Sequence, residues 1–326
     1  MRKMKIPAAA LTAAVLLSSA VVPAFAWEPS KPIEIVVPAN AGGADQLARE
    51  IARIIEKEKL SNQKVVVTNM GAGSGAQAYL FVKGKKGDDH TLVVTLSSLF
   101  TLPVARGSAF KWDELTPLSR LALDEFVLWV HADTPYKTAD EYLKAVAAHP
   151  GKFRMGGTGA AQEDQIVTIM LEQAAKVKFT YVPLGGGVEV AGKLVEKFVD
   201  STVNNPSEAV KGWKDGKLRP LGLFNSIRMS YAGDDWKAIP TMKEQSFDVQ
   251  YVMMRSVFGP PDMPAAAKEY YVGLLQKVSK SPEFKTYLKN NALKDAWLTG
   301  DNFSTWLSQQ DDLHRRILVS TGLKGS

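Results

Sequence analysis

The strongest constraint in this chain is a local unit that it builds twice: a short β-branched run, a turn of glycines and a helix. In the first copy Ile33, Ile35, Val36 and Val37 lie between Pro32 and Pro38, and Leu47, Ala48, Ile51, Ile54 and Ile55 then recur at helical spacing. Between them Ala41, Gly42, Gly43 and Ala44 carry almost no side chain. Backbone N–H groups at the helix start are thereby left open to a guest, and the helix dipole favours an anionic one. Alone, such a turn reads as a plain strand-to-helix connection. Its recurrence makes it informative.

A second β-branched run over 64–69 reads as a strand, closed by Gly71, Gly73 and Gly75 before a helix over 76–82. A third strand, 91–96, ends at Ser97 and Ser98, and 118–123 offers a fourth. From Phe126 the order restarts: a strand over 126–130, a helix over 138–148, then a strand leading into Gly156, Gly157, Thr158 and Gly159. A run over 178–183 leads into Gly185, Gly186 and Gly187, one over 198–203 ends at Asn204 and Asn205, and 218–224 completes the series. Strands alternating with helices predict an α/β fold with mainly parallel sheets. Ligands of such sheets sit beyond the carboxyl ends of the strands. Crossings near Leu123–Val127 and Gln245–Arg255 give one domain over 27–125 and 246–326 and a second over 126–245, with all six loops around an interdomain ligand cleft. A strand over 249–258 returns to the first domain, followed by helices over 265–278, 283–290 and 303–319. Trp306, Leu307, Leu313, Ile317 and Leu318 are expected to pack against that domain.

The N-terminus supplies an address. Arg2, Lys3 and Lys5 precede an apolar run over 6–22 and the Ala24-Phe25-Ala26 site, which describes a secretory signal peptide over 1–26. Cleavage there takes three of the 40 Lys+Arg that face 34 Asp+Glu, lowering the formal charge from +6 to about +3 and weakening any case for a nucleic-acid partner. Cysteine is absent, so disulfides, thiolate metal sites and thiol nucleophiles are excluded. An exported chain without disulfides must be held by its core.

Catalytic signatures are missing. His90, His131, His149 and His314 are scattered, none at metal-ligand spacing, and each is expected on the surface or in a loop. Gly73 stands where the nucleophile of a Gly-x-Ser-x-Gly elbow would be. Gly71, Gly73 and Ala76 satisfy a loose dinucleotide pattern, but the next strand ends in Leu96, Ser97 and Ser98 rather than an acidic residue for the ribose. Asp45, Glu163 and Asp164 occupy first helical turns, where carboxylates stabilise the dipole or meet a ligand. Arg255 interrupts an apolar strand along the cleft, where it either pairs with a ligand carboxylate or forms an internal ion pair.

Over nearly its whole length from Lys31, the chain resembles the extracytoplasmic receptors of tripartite tricarboxylate transporters, the Bug family. The resemblance rests on 35–45 (IVVPANAGGAD) with Ala48 and Arg49, 65–75 (VVVTNMGAGSG), Thr91 and Leu92, 156–159 (GGTG), 181–187 (YVPLGGG), 216–219 (GKLR) and 239–241 (IPT). It implies a type II-like clamshell of the periplasmic binding protein kind, without catalytic residues, cofactor or metal. Such a receptor closes as a monomer on a small organic anion, a mono-, di- or tricarboxylate, and hands it to membrane permease subunits. Carried onto this sequence, the ligand-binding residues are Asn40, Ala41, Gly42, Gly43 and Asp45 in the first loop, with Gly157, Thr158, Gly159 and Gln162 in its counterpart. Ser97, Ser98, Gly186, Gly187, Asn204 and Asn205 line the cleft, with Arg255 as the candidate cation. The chain departs from the usual family pattern at Ala39-Asn40-Ala41, Leu184-Gly185 and Met254-Arg255, so the far end of the ligand is expected to be recognised differently.

Overall fold

The computed structural model describes residues 27–323, and the signal peptide expected over 1–26 lies outside the described residues. The chain opens with β1 (Ile33–Val37), α1 (Gly43–Lys57), β2 (Val65–Asn69), α2 (Ala76–Lys83), β3 (Thr91–Thr95), α3 (Ser98–Arg106) and β4 (Thr116–Glu125). A second series follows: β5 (Val127–His131), α4 (Ala139–Ala148), β6 (Arg154–Thr158), α5 (Glu163–Ala175), β7 (Thr180–Leu184), α6 (Gly187–Val195), β8 (Ser201–Thr202), α7 (Pro206–Lys214), β9 (Leu218–Leu223) and α8 (Asp234–Ala238). The chain closes with β10 (Val252–Gly259), α9 (Ala265–Lys280), α10 (Pro282–Asn290), β11 (Lys294–Thr299) and α11 (Gly300–Ser320).

Two sheets result, ordered β11-β4-β10-β3-β1-β2 and β7-β6-β8-β5-β9. In the first, β1 pairs in parallel with β2 and β3, and in the second β6 pairs in parallel with β7 and β8. Each sheet also receives an antiparallel strand at the corresponding place, β10 between β3 and β4, and β5 between β8 and β9, and the first sheet adds a second, β11, at its edge beside β4. Apart from β11, the two halves therefore match in topology as well as in sequence pattern. One direction is shared by β1, β2, β3 and β4 in one sheet and by β6, β7, β8 and β9 in the other, as the mainly parallel expectation required.

The two inserted antiparallel strands, β5 and β10, each follow a crossing from one sheet to the other. Only Phe126 separates β4 from β5, and the return path joins it through backbone bonds from Phe224 N to Phe126 O and from Tyr251 N to Phe224 O, each 2.9 Å. A continuous apolar core passes through this crossing, from Ile35, Leu47 and Ile51 of the first half to Leu128, Met155 and Leu171 of the second.

Several expectations need correction. Ser97 and Ser98 open α3 rather than merely closing a strand, despite Pro103 inside it. The helix α7 and the strand β11 were not anticipated, and β8 is only two residues long. On α11 it is His314 rather than Leu313 that faces inward: Leu313 is 38% exposed, while Phe303, Leu307, His314 and Leu318 are buried. Three of the four histidines are buried. His314 bonds Tyr251 Oη at 2.9 Å and stacks on Phe100, and His90 Nε2 accepts from Ser30 N at 3.0 Å. They are satisfied packing groups of the fold.

Candidate functional site

The glycine loops of both halves meet around one cavity of about 210 Å³. Asn40, Gly42, Gly43, Thr158, Gly159, Gln162, Gly186, Gly187, Asn205 and Arg255 line it, so the starts of α1, α5 and α6 converge on one space. Small residues are required there: a Cβ on Gly43 would collide with Arg255 Nη2, and one on Gly187 with the carboxylate of Glu208.

The other singled-out residues lie beside or behind the cavity. Ala41 is exposed at the rim, its carbonyl facing Gly186. Asp45 is engaged by Arg49 Nε, 3.0 Å from each carboxylate oxygen, on its own helix. Ser97 is buried under the start of α3, and Ser98 shares a 3.2 Å hydroxyl contact with Tyr79. Gly157 lies under Tyr181 and Asp164, which leave no room for a side chain. Asn204 is buried and donates from Nδ2 to Gly187 O and Glu208 Oε2, each at 2.9 Å.

The two halves clasp each other across the cavity. Gly43 N, at the start of α1, donates to Glu208 Oε1 at 3.1 Å, and Ser98 N, at the start of α3, donates to Glu163 Oε1 at 2.5 Å. Gln162 Nε2 donates to Ser74 O at 2.6 Å, and Thr101 Oγ1 to Ala161 O at 3.1 Å. Sequence reasoning missed Glu208 altogether. Its one local signal is an acidic side chain in the first turn of a helix opened by Pro206, which describes any well-capped helix.

Arg255 is 2% exposed and forms an ion pair with Asp124, donating from Nε at 2.9 Å and again from Nη2. It also borders the cavity, so the ion pair and the cleft position hold together. Burial pushes the Asp124 carboxyl up to about 6 even against Arg255. Burial likewise raises Glu163, and raises Asp164 further with the help of the neighbouring Glu208 charge.

Two α/β halves with exchanged strands and loops closing on a shared cavity define a two-domain solute-binding protein. The chain belongs to the family described as "Tripartite tricarboxylate transporter family receptor", the Bug family, whose model matches residues 47–323. It is similar to a Cupriavidus necator protein described as "UPF0065 protein in gbd 5'region", 24% identical over 319 residues that cover 97% of this chain and 95% of that one. In fold it is similar to the periplasmic binding protein BugD, with a TM-score of 0.84 and 19% identity over 91% of this chain and 100% of that one. It is also similar to MatC from Rhodopseudomonas palustris with bound malate, with a TM-score of 0.79 and 21% identity over 89% of this chain and 99% of that one.

Proposed function

We propose that this receptor works in the periplasm, where it closes on a small organic carboxylate and delivers it unchanged to the permease subunits of its transporter. The reading takes 27–125 with 246–326 as one lobe and 126–245 as the other, each contributing a glycine loop to the ligand. Its chief support is Glu208, a carboxylate from one half seated on the Gly43 N–H of the α1 start in the other. That contact is the chemistry a ligand carboxylate needs, a charge-assisted bond to a helix N-terminus worth about 1.5–3 kcal/mol net. The malate bound by MatC is an acid of the same kind. No helix among the described residues is long and apolar enough to cross a membrane, which suits a receptor that meets its permease from outside the bilayer.

A thermal-shift screen of the chain from Trp27 onward, against carboxylic acids and the neutral amides of the same acids, tests the reading. A ligand at 100 times its dissociation constant adds about 2.7 kcal/mol to the native state. A shift with an acid and none with its amide is expected. Equal shifts with both would remove the carboxylate from the interaction.

A further inference from the structure

The cavity is bordered by more acidic side chains than a plain anion receptor needs. Glu163, Asp164 and Glu208 all border it, and Arg255 is the one cationic side chain among the described residues of its lining. Arg255 is already committed to the buried Asp124. The donors that a ligand carboxylate would seek are in part occupied by the protein's own acids: Gly43 N holds Glu208, Ser98 N holds Glu163, and Thr158 N donates to Asp164 Oδ2 at 2.7 Å.

A second observation is independent of that cluster. Asp124 Oδ1, Asn204 Oδ1 and Ser207 Oγ are buried without a hydrogen-bond partner among the described residues. The Ser207 hydroxyl lies behind the α1 start, 3.1 Å from where a side chain on Gly43 would begin. The orientation of Asn204 is fixed, because its Nδ2 donates to two acceptors, which leaves Oδ1 as an acceptor wanting a donor. Buried polar groups are normally paired, and these three atoms lie behind the lining, next to Arg255, Glu208 and Gly43 that form it, so the cavity wall is backed by oxygen atoms without donors and suits a guest that brings N–H or positively polarised groups.

We infer that the solute is zwitterionic, an amino-carboxylate or betaine whose cationic nitrogen faces Glu163, Asp164 and Glu208 while its carboxylate lies toward Arg255 and the α1 loop. The inference rests on the carboxylate reading above and narrows it. A carboxylate with no compensating cation would enter a space bordered by three acids, each of which repels it when ionised. A cationic nitrogen favours the ionised form of these acids, pairs with it and brings N–H donors to the site. The same three acids then discriminate against plain di- and tricarboxylates, as a site with buried groups left unpaired rejects the wrong guest.

Matched titrations decide it. The chain from Trp27 onward, unfolded and refolded to strip carried-over solute, is titrated calorimetrically with succinate against aspartate, glutarate against glutamate, butanoate against 4-aminobutanoate, and 3,3-dimethylbutanoate against glycine betaine. At least tenfold tighter binding of the nitrogen-bearing member of one or more pairs is expected. Equal or tighter binding of the plain acids would overturn the inference and leave the carboxylate reading standing. Silence from every probe would overturn both. Repeating the best pair with Glu163→Gln, Asp164→Asn and Glu208→Gln, each checked for folding by circular dichroism, should shrink the preference at least tenfold in one variant. A preference unchanged in all three would place the nitrogen elsewhere and overturn the assignment.

Discussion

Arg255 and Gly187 show what single positions do in this cleft. Arg255 and Asp124 are 131 residues apart in sequence yet fully desolvated together, so removing one leaves the other as an unpaired buried charge. Arg255→Met is expected to lower stability by about 3–5 kcal/mol in urea unfolding at neutral pH, and adding Asp124→Leu should restore much of it. A single substitution costing under about 1 kcal/mol would mean that the pair is not the anchor its geometry indicates. Gly187→Ala acts differently. The new methyl displaces the Glu208 carboxylate and weakens its hold on Gly43 N, so ligand affinity measured by calorimetry should fall at least tenfold with the melting transition nearly retained. Unchanged affinity would detach Glu208 from the binding geometry. The glycines were legible because no other residue fits where loops touch, a constraint written into the local sequence. Glu208 and Asp124 were not, because their meaning lies in partners 165 and 131 residues away.

Among elements, those with regular apolar patterns could be read and those made by context could not. Val36, Ile51 and Leu92 announced their strands and helix through burial on a repeating face. The strand β11, Lys294 to Thr299, begins with two charges because it lies at the edge of its sheet, beside β4 alone. Pro103 hid α3, since proline inside a helix removes a backbone donor, and here the break falls near the last turn. The short crossing carries its own titration. Glu125, at the end of β4, accepts from Asn225 Nδ2 at 2.8 and 2.9 Å and from Tyr231 Oη at 3.3 Å, tying the outgoing path to the return path. Burial pushes its carboxyl up to about 7, from the 4.5 of an unperturbed group. The folded state therefore binds this proton more tightly than the unfolded chain does, and the associated stability is present below about pH 4.5 and lost as pH rises through 7. The loss amounts to roughly 3 kcal/mol, with Asp124 adding in the same direction through about 6. Urea unfolding at pH 5 and pH 8 should show the native chain weakening at the higher pH relative to Glu125→Gln. Equal pH dependence in the two proteins would place the ionised Glu125 in contact with water.

At the scale of the whole molecule, two sheets that match in topology apart from β11 are joined by crossings that pass within one backbone hydrogen bond of each other at Phe126, Phe224 and Tyr251. Such a joint lets the halves rotate with little change inside either sheet, because the residues that must alter their backbone angles are few and adjacent. The clasping contacts, Gly43 to Glu208, Ser98 to Glu163, Thr101 to Ala161 and Gln162 to Ser74, are polar bonds between the two halves around the cavity. Neutral contacts of this kind contribute about 1 kcal/mol each and those to an ionised carboxylate about 1.5–3, so closing and opening differ by several kcal/mol, within the range a ligand can supply. Small-angle scattering of the chain from Trp27 onward should accordingly report a smaller radius of gyration at saturating ligand than without it. Gln162→Ala combined with Thr101→Ala removes two clasps that involve no carboxylate, and should enlarge the ligand-free radius while leaving the saturated one almost unchanged. Identical scattering curves with and without a ligand known to bind would mean that the cavity fills through its rim, with the two halves acting as one rigid body.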